Sequence, residues 1–203
     1  MTAGAEGRAY VLDTGVLIAL QRAGHLSILV DISERVTLVV LEEVRDELIV
    51  DAKPKHARAA EQARITLEGS RIRVEGIQIA DPAATRLQAL RAGKTSASDL
   101  GEAASIAWAM SRPEASFVTR DGQAALLGLE ELRGHAMGFF QFLAELVDLG
   151  ALDASVAAQV AEDTVKASGV TARVPLWWPD WIQSHSPPTS SSAPMAPEPR
   201  RES

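Results

Sequence analysis

Apolar residues occur along this chain in short, sharply bounded runs, and the runs switch between two periods. The first is Tyr10-Val11-Leu12-Asp13-Thr14-Gly15-Val16-Leu17-Ile18-Ala19-Leu20. It opens as a buried strand, Ala9 to Leu12, turns at Thr14-Gly15, and continues as a helix from Val16 to Arg22. Val36-Thr37-Leu38-Val39-Val40 is short and β-branched, a second buried strand. From Leu41 to Val50 the apolar positions 41, 44, 48 and 49 take helical spacing, and Pro54 stops that helix. His56 to Glu68 reads as another helix, and Arg71 to Ile77 alternates as an edge or half-buried strand. Asp81-Pro82 is a helix start, with a capping Asp and a first-turn proline, and Gly93 follows the end near Arg91. Asp99 to Met110 is an Ala-rich helix, and Ser116 to Thr119 a third core strand. Gly138 to Leu149 and Asp153 to Ala167 are two further helices. Strands separated by helices at this spacing imply an α/β sandwich with a mainly parallel sheet. No internal repeat is present.

The organisation expected is a domain over 1–150, a helical extension with a Trp cluster over 151–183, and a disordered Pro/Ser-rich tail over 184–203. With 203 residues, 46% hydrophobic and 23% charged, the chain has the make-up of a soluble globular protein. It has no cysteine, which removes disulfides, zinc–thiolate sites and cysteine nucleophiles. Met1 to Gly7 lacks the basic flank of a secretory signal, and the apolar run after it is broken by Asp13 and too short to span a bilayer. A cytoplasmic protein without membrane contact is the expectation. The net charge of −7 argues against broad adhesion to nucleic acid. It leaves room for an enzyme that meets a phosphodiester through metal ions and a few basic residues.

Asp13 is the most informative residue, a charge inside an apolar run that contains no Lys or Arg. A carboxylate at the end of a buried strand is costly to desolvate and needs a partner, for which a metal ion is the leading candidate. In open parallel sheets, sites form beyond the carboxyl ends of the strands, and both Asp13 and Asp121 stand at such ends. Glu47 and Glu102 are offered by two helices. Carboxylates gathered this way repel, by about 4 kcal/mol for a pair about 4 Å apart at an effective dielectric near 20. Mg²⁺ or Mn²⁺ would hold them together, contact a phosphate oxygen and activate a water, so phosphodiester hydrolysis is the chemistry the set supports. Each acid also has a plainer reading. Asp13 caps the following helix, Glu47 is a surface acid among Glu42, Glu43 and Asp46, Glu102 closes a capping box with Asp99, and Asp121 is a turn aspartate before Gly122.

Four segments, Val11-Leu12-Asp13-Thr14-Gly15-Val16-Leu17, Val44-Arg45-Asp46-Glu47-Leu48, Gly101 to Ala109 and Phe117-Val118-Thr119-Arg120-Asp121, resemble the PIN-domain nucleases. These include bacterial toxin endoribonucleases of the VapC type. The resemblance spans about Ala9 to Leu149 and implies a three-layer α/β/α sandwich, a divalent metal (Mg²⁺ or Mn²⁺) and cleavage of single-stranded RNA. By the same resemblance, Asp13, Glu47, Glu102 and Asp121 are the catalytic and metal-binding acids. Thr14 and Thr119 position water or phosphate, and Arg120 contacts substrate. An antitoxin protein and a second copy of the chain are the partners it implies. The competing readings are a PIN-like binding module without catalysis, and a processing nuclease unrelated to toxicity.

Two other features stand out. Lys53, Lys55, His56, Arg58 and Arg64 form the densest basic stretch, an RNA flank or, more simply, a solvated helix face interleaved with Asp51 and Glu61. Trp177-Trp178-Pro179-Asp180-Trp181 either stacks bases, docks a partner or folds back over the domain. His25, His56, His135 and His185 are scattered without metal-ligand spacing.

Overall fold

The computed structural model describes residues 8–50, 57–92, 100–120, 136–168 and 174–185. Three strands form where continuous apolar runs demand burial on both faces: β1 (Ala9–Leu12), β2 (Thr37–Leu41) and β4 (Ala115–Thr119). Between and beside them lie β3 (Arg73–Glu75) and β5 (Ala136–Gly138), completing one sheet of order β3-β2-β1-β4-β5. Every pairing is parallel. Tyr10, Val11 and Leu12 have no exposed surface, as expected of a central strand in an all-parallel sheet.

Parallel neighbours need crossovers, and helices supply them. In chain order these are α1 (Thr14–Ala23), α2 (Ser27–Ile32), α3 (Glu42–Val50), α4 (Ala57–Glu68), α5 (Pro82–Arg91) and α6 (Leu100–Met110). After β5 come α7 (Phe139–Asp148), α8 (Ala154–Ser168) and α9 (Trp178–His185). The chain is an α/β sandwich of the PIN type, with a wholly parallel sheet covered by helices. Among the described residues no helix is long and apolar enough to cross a membrane.

Small residues place α6 at the centre of one helical layer. Gly101 and Ala103 through Ala109 are all buried, an all-round burial expected of a helix packed on several sides. It contacts α3, α5 and the three central strands. Asp81 caps α5 as its sequence predicts, accepting from the Ala83 N–H at 2.8 Å. The same carboxylate receives Arg112 Nη2 at 2.7 Å, while the Arg112 guanidinium lies 4.0 Å over the Trp108 ring. On the other side α1 packs against α4 and α8, and α8 buries Ala157, Val160 and Ala161 there.

Some sequence expectations are corrected. The strand foreseen over 71–77 narrows to Arg73–Glu75, because only those residues lie opposite Val39–Leu41 in the ladder. The helix foreseen from Gly138 starts at Phe139, because Ala136–Gly138 pairs with Phe117–Thr119 as β5. Ser184 and His185, the first residues of the tail foreseen from 184, finish α9: the Ser184 hydroxyl donates to the Trp181 carbonyl, and His185 stacks on the Trp181 ring at 4.2 Å. Residues 186–203 lie outside the described residues. Of the tryptophans, Trp178 folds back over the domain, edge-on to Phe140 at 5.1 Å and stacked on Trp181 at 5.3 Å.

Trp178 is 6% exposed and Trp177 is 43% exposed. Trp178→Ala is expected to cost about 3 kcal/mol of unfolding free energy in urea, against less than about 0.5 kcal/mol for Trp177→Ala. Equal, small losses would mean that α9 is peripheral to the folded unit.

Candidate active site

Strand order creates the site. The chain moves outward from β1 through β2 to β3, and on the other side through β4 to β5. The reversal falls between β1 and β4, and a crevice opens beyond their carboxyl ends at such a point. Leu12 lies opposite Val118, so Asp13 and Thr119 emerge side by side.

The Asp13 backbone is fully used. Its N–H donates to the Val118 carbonyl at 3.1 Å, carrying the ladder one residue past β1, and its carbonyl accepts from the N–H groups of Val16 and Leu17 to start α1. Its side chain stands at the N-cap of α1 without closing a capping hydrogen bond. The Thr119 hydroxyl donates to Asp13 Oδ2 at 3.1 Å instead. Gly15 keeps the approach open, since a β-carbon there would sit 3.3 Å from the same oxygen.

Glu47 reaches the same place from the middle of α3. The Thr14 hydroxyl donates to its Oε2 at 2.7 Å, and the Gly101 N–H in the first turn of α6 donates to its Oε1 at 2.6 Å. Glu47 is therefore a half-buried acid bound to α1 and α6, and the surface reading of it fails. Burial is the main reason the Asp13 carboxyl is pushed up to about 6. The Thr119 hydroxyl opposes that shift, the Glu47 carboxylate adds to it, and the N–H groups of Thr14 and Gly15 oppose it. Among the described residues no basic side chain is a cause of the shift.

Glu102 follows Gly101 in the first turn of α6 and is half-buried. Asp121, the fourth acid, lies outside the described residues, as do Asp99, Gly122, Lys53, Lys55, His56 and His135. Among the described residues no three His, Asp or Glu side chains gather closely enough to hold a metal ion. What the structure assembles is a pair, Asp13 and Glu47, with the hydroxyls of Thr14 and Thr119.

Arg120 turns toward α8, where Nη2 donates to Ser168 Oγ at 2.8 Å. Burial, and after it the Arg22 guanidinium, pull its pKa down. Arg64 is occupied by Glu61 and Glu68, which supports the solvated-face reading of its part of the basic stretch. His25 pairs with Asp163 at 2.9 Å. One contributor to the site, and one buried acid outside its hydrogen bonds, escape a sequence reading. The Gly101 amide bears no side chain to notice. Glu43 sits among exposed acids, yet its Oε2 is buried without a hydrogen bond among the described residues, and burial pushes its carboxyl up.

The donor set suits a hard divalent cation. Mg²⁺ typically takes one or two carboxylates and fills its remaining positions with water and phosphate oxygen. Asp13 and Glu47, carboxylates close enough to act on one another, offer that in a chain without any thiolate.

A five-stranded parallel sheet with helices on both sides and paired acids at its switch point defines a PIN-like α/β protein. The chain belongs to the PIN-domain family DUF3368, which matches residues 9–167, from β1 through nearly all of α8. PIN domains are generally nucleases. No curated protein sequence and no solved structure matches the chain.

The Asp13 shift has a definite sign. An acid raised from 3.8 to about 6 on folding binds its proton more tightly in the folded state. The stability it contributes is present below about pH 4 and lost as pH rises through 6, on the order of 3 kcal/mol over the window. In EDTA, Asp13→Asn is expected to melt several degrees above the parent at pH 8, with the gap closing by pH 4. Parallel melting curves across that range would show that Asp13 is not strained by its charge.

Proposed function

We propose that this chain is a divalent-metal-dependent endoribonuclease that hydrolyses phosphodiester bonds of RNA. The observation that carries the reading is the Asp13–Glu47 pair: two acids drawn together in a switch-point crevice, one of them resisting ionisation chiefly because it is buried and further because the other stands near it. In this reading Asp13 and Glu47, joined by Glu102 and Asp121, hold Mg²⁺ or Mn²⁺. When bound, such an ion polarises the phosphodiester and lowers the pKa of a coordinated water. Thr119 and Thr14 orient the two carboxylates through the hydroxyl bonds described above. Arg120, held by Ser168, supplies a positive charge for the RNA backbone beside β4. A protein of this type would suit the role of toxin in a toxin–antitoxin pair, acting in the cytoplasm and silenced by an antitoxin.

A second reading, a PIN-fold binding module without catalysis, draws on one observation: among the described residues the acids form a pair and not a larger group. Incubation of the purified protein with total RNA separates the two. Cleavage with Mg²⁺ or Mn²⁺ is expected, abolished by EDTA and reduced at least ~100-fold in Asp13→Asn, whose circular dichroism matches the parent. Intact RNA under every condition would favour the binding module.

A further inference from the structure

The first turn of α6 comes nearer to Glu47 than a residue with a side chain would permit. A β-carbon built on Gly101 would stand 2.7 Å from Glu47 Oε2, 2.8 Å from Cδ and 2.9 Å from Oε1. Contacts that short do not survive, so any larger residue at 101 must displace the carboxylate. Without a β-carbon, the Gly101 amide donates to Oε1 at 2.6 Å. That amide belongs to the helix start, where N–H groups lack intrahelical acceptors and favour negative charge. Thr14 holds the other oxygen. Carboxylate oxygens accept more than one partner, so the two bonds fix the orientation of the group without exhausting it.

The composition of α6 sharpens the point. Its first turns are otherwise built of good helix formers, with alanine at 103, 104, 107 and 109. Glycine is about 1 kcal/mol worse than alanine in a helix. Its presence at the position facing Glu47 runs against local propensity and calls for a reason in the site.

We propose that Gly101 is a positioning residue. Its missing side chain seats the Glu47 carboxylate on the α6 amide, in the orientation that lets Glu47 and Asp13 share one divalent cation. The proposal rests on Glu47 being a ligand, as read above.

The test is Mn²⁺ binding without RNA, by calorimetry and by the Mn²⁺-induced rise in Tm. Gly101→Ala is expected to change the metal-free Tm only slightly, the gain in helix propensity offsetting the displaced Glu47 bonds, while weakening Mn²⁺ binding about 10-fold or more, the scale of a lost orienting partner. Glu47→Asp, shorter by one methylene, makes room for the added methyl. Mn²⁺ binding in Gly101→Ala/Glu47→Asp should therefore fall no further than in Glu47→Asp alone, a coupling read by the double-mutant cycle. Parental Mn²⁺ affinity in Gly101→Ala, or simple additivity in the cycle, overturns the proposal. Glu47→Gln distinguishes its failure from that of the functional reading: unchanged Mn²⁺ binding there removes Glu47 from the ligand set. Loss of binding in Glu47→Gln with none in Gly101→Ala overturns the positioning role alone.

Discussion

The structure turns on where a negative charge is allowed to sit. A half-buried acid stands near each end of β1, and the two are treated in opposite ways. At the amino end, Glu145 of α7 accepts from Arg8 at 2.6 Å and from the Tyr10 hydroxyl at 2.8 Å, so its charge is met by a guanidinium. At the carboxyl end, Asp13 meets hydroxyls, amides and another carboxylate. The first arrangement ties a helix to a strand and is complete within the protein. Among the described residues that act on it, the second acid meets no guanidinium or ammonium, and a perturbed acid of this kind in a crevice marks a candidate functional site.

That carboxyl end is assembled by secondary-structure termini. β1 delivers Asp13, the start of α1 delivers Thr14, the end of β4 delivers Thr119, and the start of α6 delivers an amide. Glu47 is the exception, coming from within α3, and it spans the gap between two helix starts. Its bonds to Thr14 and Gly101 make it a structural tie as well as a candidate ligand. The two roles are compatible because each carboxylate oxygen accepts several partners.

The central strands were legible because strands buried on both faces read as unbroken apolar runs. β5 was not, since Ala136-Met137-Gly138 has neither β-branching nor alternation and gains its identity only from Phe117–Thr119 beside it. The six-residue α2 left too short a period to register. In β3 the alternation outran the ladder. In the site, Asp13 announced itself as a charge in an apolar run, and Glu47 by its place beside an apolar stripe. What joins them was not legible. The Thr14–Glu47 bond connects residues 33 apart in the chain, and the Gly101 amide carries no side chain that a sequence pattern displays. Capping logic gave Asp81 its role correctly, whereas the Asp13 carboxylate, at the N-cap of α1, closes no such capping bond and takes its hydrogen bond from Thr119.

The strand order has a bearing on the life of the chain as it is synthesised. β1 emerges first, yet its second neighbour, β4, is supplied only once Ala115–Thr119 has been made. Until then one flank of the innermost strand stays open and Thr119 is missing beside Asp13. A polypeptide ending before that segment lacks β4 and Thr119, so the crevice beyond β1 is completed only late in synthesis.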